Sequence, residues 1–161
     1  MRPLSIYGAV ALLVIIVDQW IKHVVQTSME MHEAIEILPF FALYRTYNTG
    51  VAFSMFAESG DWRLIAVVIA VTLFIVWLAI RSGPHQVWAR TGFALIVGGA
   101  LGNLIDRALL GHVVDYLYFH TPWWSFAVFN LADAAITVGA GLVILQEVLD
   151  WLRERAQPKA D

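Results

Sequence analysis

The chain has 161 residues, 60% of them hydrophobic and only 14% charged, with a mean hydropathy of +0.69. A soluble domain of this length carries far more surface charge, so the composition points to one membrane-embedded domain. A net charge of −3 with ten dispersed Lys and Arg residues gives no nucleic-acid footprint, and the lack of cysteine excludes disulfides, Cys-ligated zinc and a thiol nucleophile.

Four apolar stretches are predicted to be transmembrane helices, at about residues 4–25, 64–80, 91–110 and 126–149. Crossing the hydrocarbon takes about 20 helical residues, and shorter runs are tolerated where flanking groups snorkel. The first stretch follows Met1-Arg2, holds Asp18 and continues past it with no small-residue cleavage site, which favours an uncleaved helix over a signal peptide.

The next segment, about 26–62, is too long for a simple turn. Between Ile35 and Tyr47 it is rich in β-branched and aromatic residues and broken by Pro39, which reads as a small edge-type β element on the outer membrane surface. Asn48-Thr49-Gly50 is a turn signal. The apolar patch Val51 to Ala57 is expected to dip into the interface as a mobile lid that limits water access, and Ser59-Gly60-Asp61 to cap the second helix.

The second helix is apolar throughout and suits packing against lipid; Arg81-Ser-Gly-Pro-His85 follows as a short loop. In the third helix Gly98 and Gly102 stand four apart, a spacing that lets helices approach closely. Residues 111–125 are expected to form a loop whose Trp123 and Trp124 belong to an aromatic belt, and the tail after Trp151 is expected to fray. The fold class is therefore an all-α polytopic membrane protein: a single domain, 1–161, with four transmembrane helices and a small periplasmic β-rich element.

Basic residues set the orientation. With both termini cytoplasmic, Arg2, Arg81, Arg90, Arg153, Arg155 and Lys159 lie inside; the outer segments hold Arg45 and the edge residue Arg63.

The informative residues are the ionisable ones within apolar stretches: Asp18, Lys22, Asp106, Arg107 and Asp133. Each costs roughly 2.5–3.5 kcal/mol or more at a helix centre, so each needs a partner or a function. Asp18 and Asp106 lie late in outward-running helices. Asp133 lies about 10 Å into an inward-running one, counting 1.5 Å per residue from the start of its stretch. Asp115, just past the third helix, joins the same outer layer. Asp18 and Lys22, four apart with the acid first, suit an ion pair along the helix. Asn103, Asp106 and Arg107 share a face, and Arg107 can pair with a carboxylate. These groups fit a supporting role. Asp115 and Asp133 have no local basic partner, and Asn130 precedes Asp133 by three residues on the same helical face.

Two carboxylates in a low-dielectric pocket cannot both ionise easily: they share a proton and can hold and activate a water. The ionised member removes a proton from water and the protonated one donates to the scissile carbonyl, the logic of an aspartic peptidase. Each acid alone is also compatible with a polar tie between helices. Other chemistries fit worse. There is no Gly-x-Ser-x-Gly elbow and no His-Glu-x-x-His spacing among the five histidines. Ser54 and Lys22 lie on separate elements, so a Ser-Lys dyad has nothing to fix it. No metal and no cofactor are expected.

Four motifs together resemble the lipoprotein signal peptidases: Asp18-Gln-Trp-Ile-Lys22, Asn48-Thr-Gly-Val-Ala-Phe53, Gly99 to Arg107 with Val113-Val-Asp-Tyr116, and Phe129-Asn-Leu-Ala-Asp133. They occur in the family's order and cover nearly the whole chain. The resemblance implies that Asp115 and Asp133 form the catalytic dyad, with supporting or substrate-binding roles for Asp18, Lys22, Asn48, Gly50, Asn103, Asp106, Arg107, Asn130 and Ala132. It implies a prolipoprotein substrate already carrying diacylglycerol on its cysteine and cut just before that cysteine. It also implies a bacterial inner-membrane setting among membrane lipid, the active site toward the periplasm, and sensitivity to the cyclic peptide globomycin. A proton-coupled carrier is the main alternative, but it needs polar groups through both leaflets, and the inner half here is nearly bare. A non-enzymatic membrane scaffold is the third reading.

Overall fold

The computed structural model describes residues 4–50 and 62–156. The expected lid at 51–57 and the expected cap at 59–61 lie outside the described residues. In chain order the elements are α1 (Leu4–Ser28), β1 (Ala34–Leu38), β2 (Phe41–Asn48), α2 (Trp62–Arg81), α3 (Val87–Leu110), β3 (Val113–Thr121), β4 (Trp124–Ser125) and α4 (Leu131–Ala156).

All four helices are long and apolar enough to cross a membrane. Their outward faces carry Leu13, Ile16, Trp20, Leu73, Phe74 and Ile144, each more than half exposed. A continuous apolar surface of this kind is stable in hydrocarbon and not in water. α3 is the central helix and packs on α4, α1 and α2. Small residues allow that contact. A Cβ on Gly99 would collide with the Ala132 carbonyl, so any larger residue would push the start of α4 away. The expected close approaches at Gly98 and Gly102 occur too, the first against Ala11 and Val14, the second against the Asp18 carboxylate.

The strands form an antiparallel sheet in the order β1-β2-β3-β4. β2 pairs with β3 so that Thr46 faces Asp115 and Asn48 faces Val113. Arg45 ties this sheet to the helices. Its Nη1 donates to the Gln26 carbonyl at 3.0 Å and to that of Met29, carbonyls at the end of α1 that lack helical partners. Val114 and Tyr116 of β3 pack in a buried cluster with Val25 of α1 and Met29 just past its end.

The structure changes several expectations. Residues 113–121 are a strand rather than part of a loop, paired along β2. Gly111, at φ 74°, ends α3 in the left-handed conformation, its N–H bonded to the Arg107 carbonyl, and turns the chain directly into β3. Asp115 is therefore a strand residue. α4 begins at Leu131 and not near 126, because Phe126 and Phe129 bond their backbones to Phe119, Tyr116 and Leu117 of β3. Asp133 consequently sits in the first turn of α4 rather than two turns down. The expected frayed tail after Trp151 is helical to Ala156.

Candidate active site

The acids gather at one end of the bundle around a buried cation. Lys22 Nζ lies 2.8 Å from Asp18 Oδ2 and 2.9 Å from Asp106 Oδ2, and donates to Asn103 Oδ1 at 2.9 Å. Asp18, Lys22 and Asp106 are at most 2% exposed. Taking charges out of water costs several kcal/mol each, so this cluster persists only because its members neutralise and hydrogen-bond one another. Both carboxylates also accept backbone amides. Asp18 Oδ1 accepts the Ala132 N–H at 3.0 Å, and Asp106 Oδ2 accepts the Val114 N–H at 3.2 Å. The ion cluster thereby grips both the start of α4 and the strand that carries Asp115.

Asn103 passes this order on: its Nδ2 donates to Asp133 Oδ1 at 2.8 Å. Asp133 Oδ2 accepts the backbone N–H of Asn130 at 3.2 Å, while Asn130 Oδ1 accepts the N–H of Asp133 at 3.0 Å. This is a reciprocal helix cap, residue and third-following residue each satisfying the other's amide. Asn130 Nδ2 reaches Asp115 Oδ1 at 2.7 Å. On the other side of Asp115, Asn48 Nδ2 donates to Oδ2 at 3.1 Å. Asn48 is aimed by its own turn, for its Oδ1 accepts the Gly50 N–H at 2.9 Å. Gly50 there has φ 77°, a conformation other side chains resist. Ala132 is fully buried, its backbone carbonyl against Gly99 and its Cβ near Gly102.

Asp115 is 2% exposed. Burial, and next the charge of Asp133, push its carboxyl up from the ordinary range to about 6, against the lowering effect of the Asn48 and Asn130 amides and Lys22. Such a carboxyl can hold and release a proton near neutral pH. Burial and the surrounding acids also raise the Tyr116 phenol, keeping it protonated.

Asp133 borders open space on two sides. A cleft of about 330 Å³ between α2, α3 and α4 is lined by Val67, Val71, Thr72, Asn103, Arg107 and Asp133. A second groove of about 350 Å³ runs past Phe126, Phe129, Asp133, Thr137 and Val138. Arg107 points into the first cleft, with Nη1 on the Asn103 carbonyl at 3.3 Å. The carboxylate pairing expected of it is not formed among the described residues. The shared face splits in this way because residues 106 and 107 are about 100° apart on the helix: Asp106 turns to α1 and Arg107 to α2.

The residues expected at the site from sequence thus meet in one connected network, with Arg107 at its edge. Three further residues belong to it and were not expected. Gln19 Nε2 donates to Asp106 Oδ1 at 2.7 Å and to the Gly102 carbonyl at 3.1 Å. Tyr116 Oη accepts the Leu131 N–H at 3.2 Å. Arg45 holds the strand that ends in Asn48. The signal for the first two was adjacency, since each follows an acid already singled out.

A family model described as signal peptidase (SPase) II matches residues 10–149. The chain is 55% identical over 159 residues to a lipoprotein signal peptidase of Mesorhizobium japonicum, covering 99% of this chain and 95% of that one. It is 56% identical over 146 residues to one of Brucella ovis, covering 91% of each. Among solved structures, one described as a bacterial membrane enzyme superposes with a TM-score of 0.83 at 27% identity, over 97% of this chain and 95% of that one. A second of the same description gives a TM-score of 0.79 at 29% identity, over 88% and 91%. With matches over this much of its length, the chain belongs to the signal peptidase II family and is an aspartic peptidase.

Proposed function

We propose that this peptidase removes the signal peptide from diacylglyceryl-modified prolipoproteins, cutting just before the lipidated cysteine, with Asp115 and Asp133 as its catalytic pair. The observation that carries the reading is Asn130: one side chain is bonded both to the Asp115 carboxylate and to the backbone of Asp133. Asp133, at the amino end of a helix, takes the proton of a water that attacks the scissile carbonyl carbon. Asp115 carries the pair's shared proton and gives it to the carbonyl oxygen, forming a tetrahedral diol. Collapse of the diol breaks the C–N bond, the proton gained by Asp133 going to the leaving cysteine nitrogen. One hydroxyl proton of the diol returns to Asp115 and the other stays on the new carboxyl group. Closure by substrate excludes water and favours the protonated form of Asp115 further.

The substrate has two apolar parts, a signal helix and acyl chains, and Asp133 borders two grooves. Arg107 and Asn48 are suited to hold substrate backbone beside the acids. Asp18, Lys22, Asn103, Asp106 and Ala132 act as supports, and Gly50 shapes the Asn48 turn. In this reading the protein lies in the bacterial inner membrane with both termini cytoplasmic. The acids then sit at the level of the outer leaflet, and globomycin competes for the same cleft. The test is cleavage of a purified diacylated prolipoprotein in water enriched in oxygen-18. One heavy oxygen in the new signal-peptide carboxylate, with the cysteine at the new amino terminus and no acyl-enzyme captured by an added nucleophile, supports direct attack by water. A covalent acyl-enzyme trapped by a nucleophile, or cleavage elsewhere, contradicts it.

A further inference from the structure

Tyr116 follows Asp115 on β3 and is 3% exposed. Its ring packs in the apolar cluster with Val25, Met29 and Val114. Its hydroxyl, however, reaches the start of α4, where it accepts the Leu131 N–H at 3.2 Å. Its own backbone N–H donates to the Phe129 carbonyl at 3.0 Å. One residue therefore holds the chain on both sides of Asn130.

The first amides of a helix have no acceptor within it and must find one elsewhere. In α4 the N–H groups of Leu131, Ala132 and Asp133 are taken in succession by Tyr116 from β3, Asp18 from α1 and the Asn130 cap. Asp133 is thus fixed by a helix start with three separate anchors. One of these anchors belongs to the residue next to Asp115, which couples the strand of one acid to the helix of the other. A buried hydroxyl is costly unless bonded, and a phenylalanine would fill the same apolar space without that cost.

We infer that the Tyr116 hydroxyl is a positioning group for hydrolysis, holding the amino end of α4 so that Asp133 is set against Asp115. The inference rests on the proposed pair. The hydroxyl acts through the Leu131 amide and needs no contact with substrate.

Tyr116→Phe tests it, since the ring stays and one hydrogen bond goes. With a diacylated prolipoprotein in detergent or proteoliposomes, kcat falls about three- to tenfold, the range one such bond supports. KM stays at the wild-type value, the acid limb of the kcat–pH profile is displaced, and the melting temperature moves little. Tyr44→Phe, which removes a hydroxyl bonded to His32 on the sheet, leaves kcat and the profile unchanged. A Tyr116→Phe enzyme with wild-type kcat and profile overturns the inference. So does a loss of kcat that merely tracks a loss of thermal stability with the profile unmoved. Asp115→Asn measured in parallel separates the two levels. Undiminished activity there removes the catalytic pair itself, whereas a dead Asp115→Asn beside an unaltered Tyr116→Phe removes only the role given to the hydroxyl.

Discussion

Asn130 and Asp133 cap the same helix reciprocally: the Asn130 side chain accepts the Asp133 N–H at 3.0 Å while the Asp133 carboxylate accepts the Asn130 N–H at 3.2 Å. A motif that usually only starts a helix here also orients a carboxylate and, through Asn130 Nδ2, links it to Asp115. Asn130→Ala removes both functions. We expect a stability loss of about 1 kcal/mol from the cap, and a much larger loss of rate, about a hundredfold, from misaligned acid–base groups. Thermal unfolding beside single-turnover cleavage separates the two effects. Equal rates for wild type and variant would show that the link is dispensable.

Asp115 gives a pH-dependent prediction for stability. Its folded carboxyl titrates at about 6, above the ordinary 3.8. The folded state therefore holds the proton more tightly. The associated stability is fully present below about pH 4 and is lost as pH rises through about 6, by about 3 kcal/mol for a shift of this size. Asp115→Asn, which cannot ionise, should melt higher than wild type at about pH 8, the advantage shrinking toward about pH 4. A variant less stable than wild type under the alkaline condition would contradict the cost assigned to burying this charge.

The Lys22 cluster predicts strong coupling. Lys22→Met leaves Asp18 and Asp106 buried without their cation and should cost about 3–5 kcal/mol. Lys22→Met with Asp18→Asn removes one charge of each sign and should be less destabilised than Lys22→Met alone. Additive losses in a double-mutant cycle would mean the buried pair is not coupled.

Helix approach at the site yields a contrast between two glycines. Gly99→Ala places a Cβ against the Ala132 carbonyl, displacing the start of α4, and should lower cleavage sharply. A Cβ added at Gly141, on the same helix as Asp133, would meet nothing within 4 Å. Gly141→Ala should therefore leave cleavage intact and stabilise the helix by up to about 1 kcal/mol. Equal effects of the two would remove the packing argument.

Much of this architecture is legible in the chain. The four apolar stretches become four helices because hydrocarbon imposes length and composition directly. The layer of acids is readable because a charge in an apolar helix needs a reason to be there. β3 is not legible. Residues 113–121 lie just past the Gly111-His112 break and read as part of a loop, and only pairing with β2, far earlier in sequence, makes them a strand. The start of α4 is misplaced for the same reason, since Phe126 and Phe129 look helical until their backbones pair with β3. The difference matters chemically, because it moves Asp133 into the first turn and makes it part of a cap. Tyr116 and Arg45 stay hidden because their roles depend on backbone groups of other elements, which side-chain spacing does not reveal.

The most direct measurement is the rate of processing of one diacylated prolipoprotein by wild type, Asp115→Asn and Asp133→Asn in the same proteoliposomes, with folding checked for each. Both substitutions should lower the rate by at least about a hundredfold while the protein remains folded. A folded variant of either kind that processes substrate at the wild-type rate would contradict the shared role assigned to these two carboxylates.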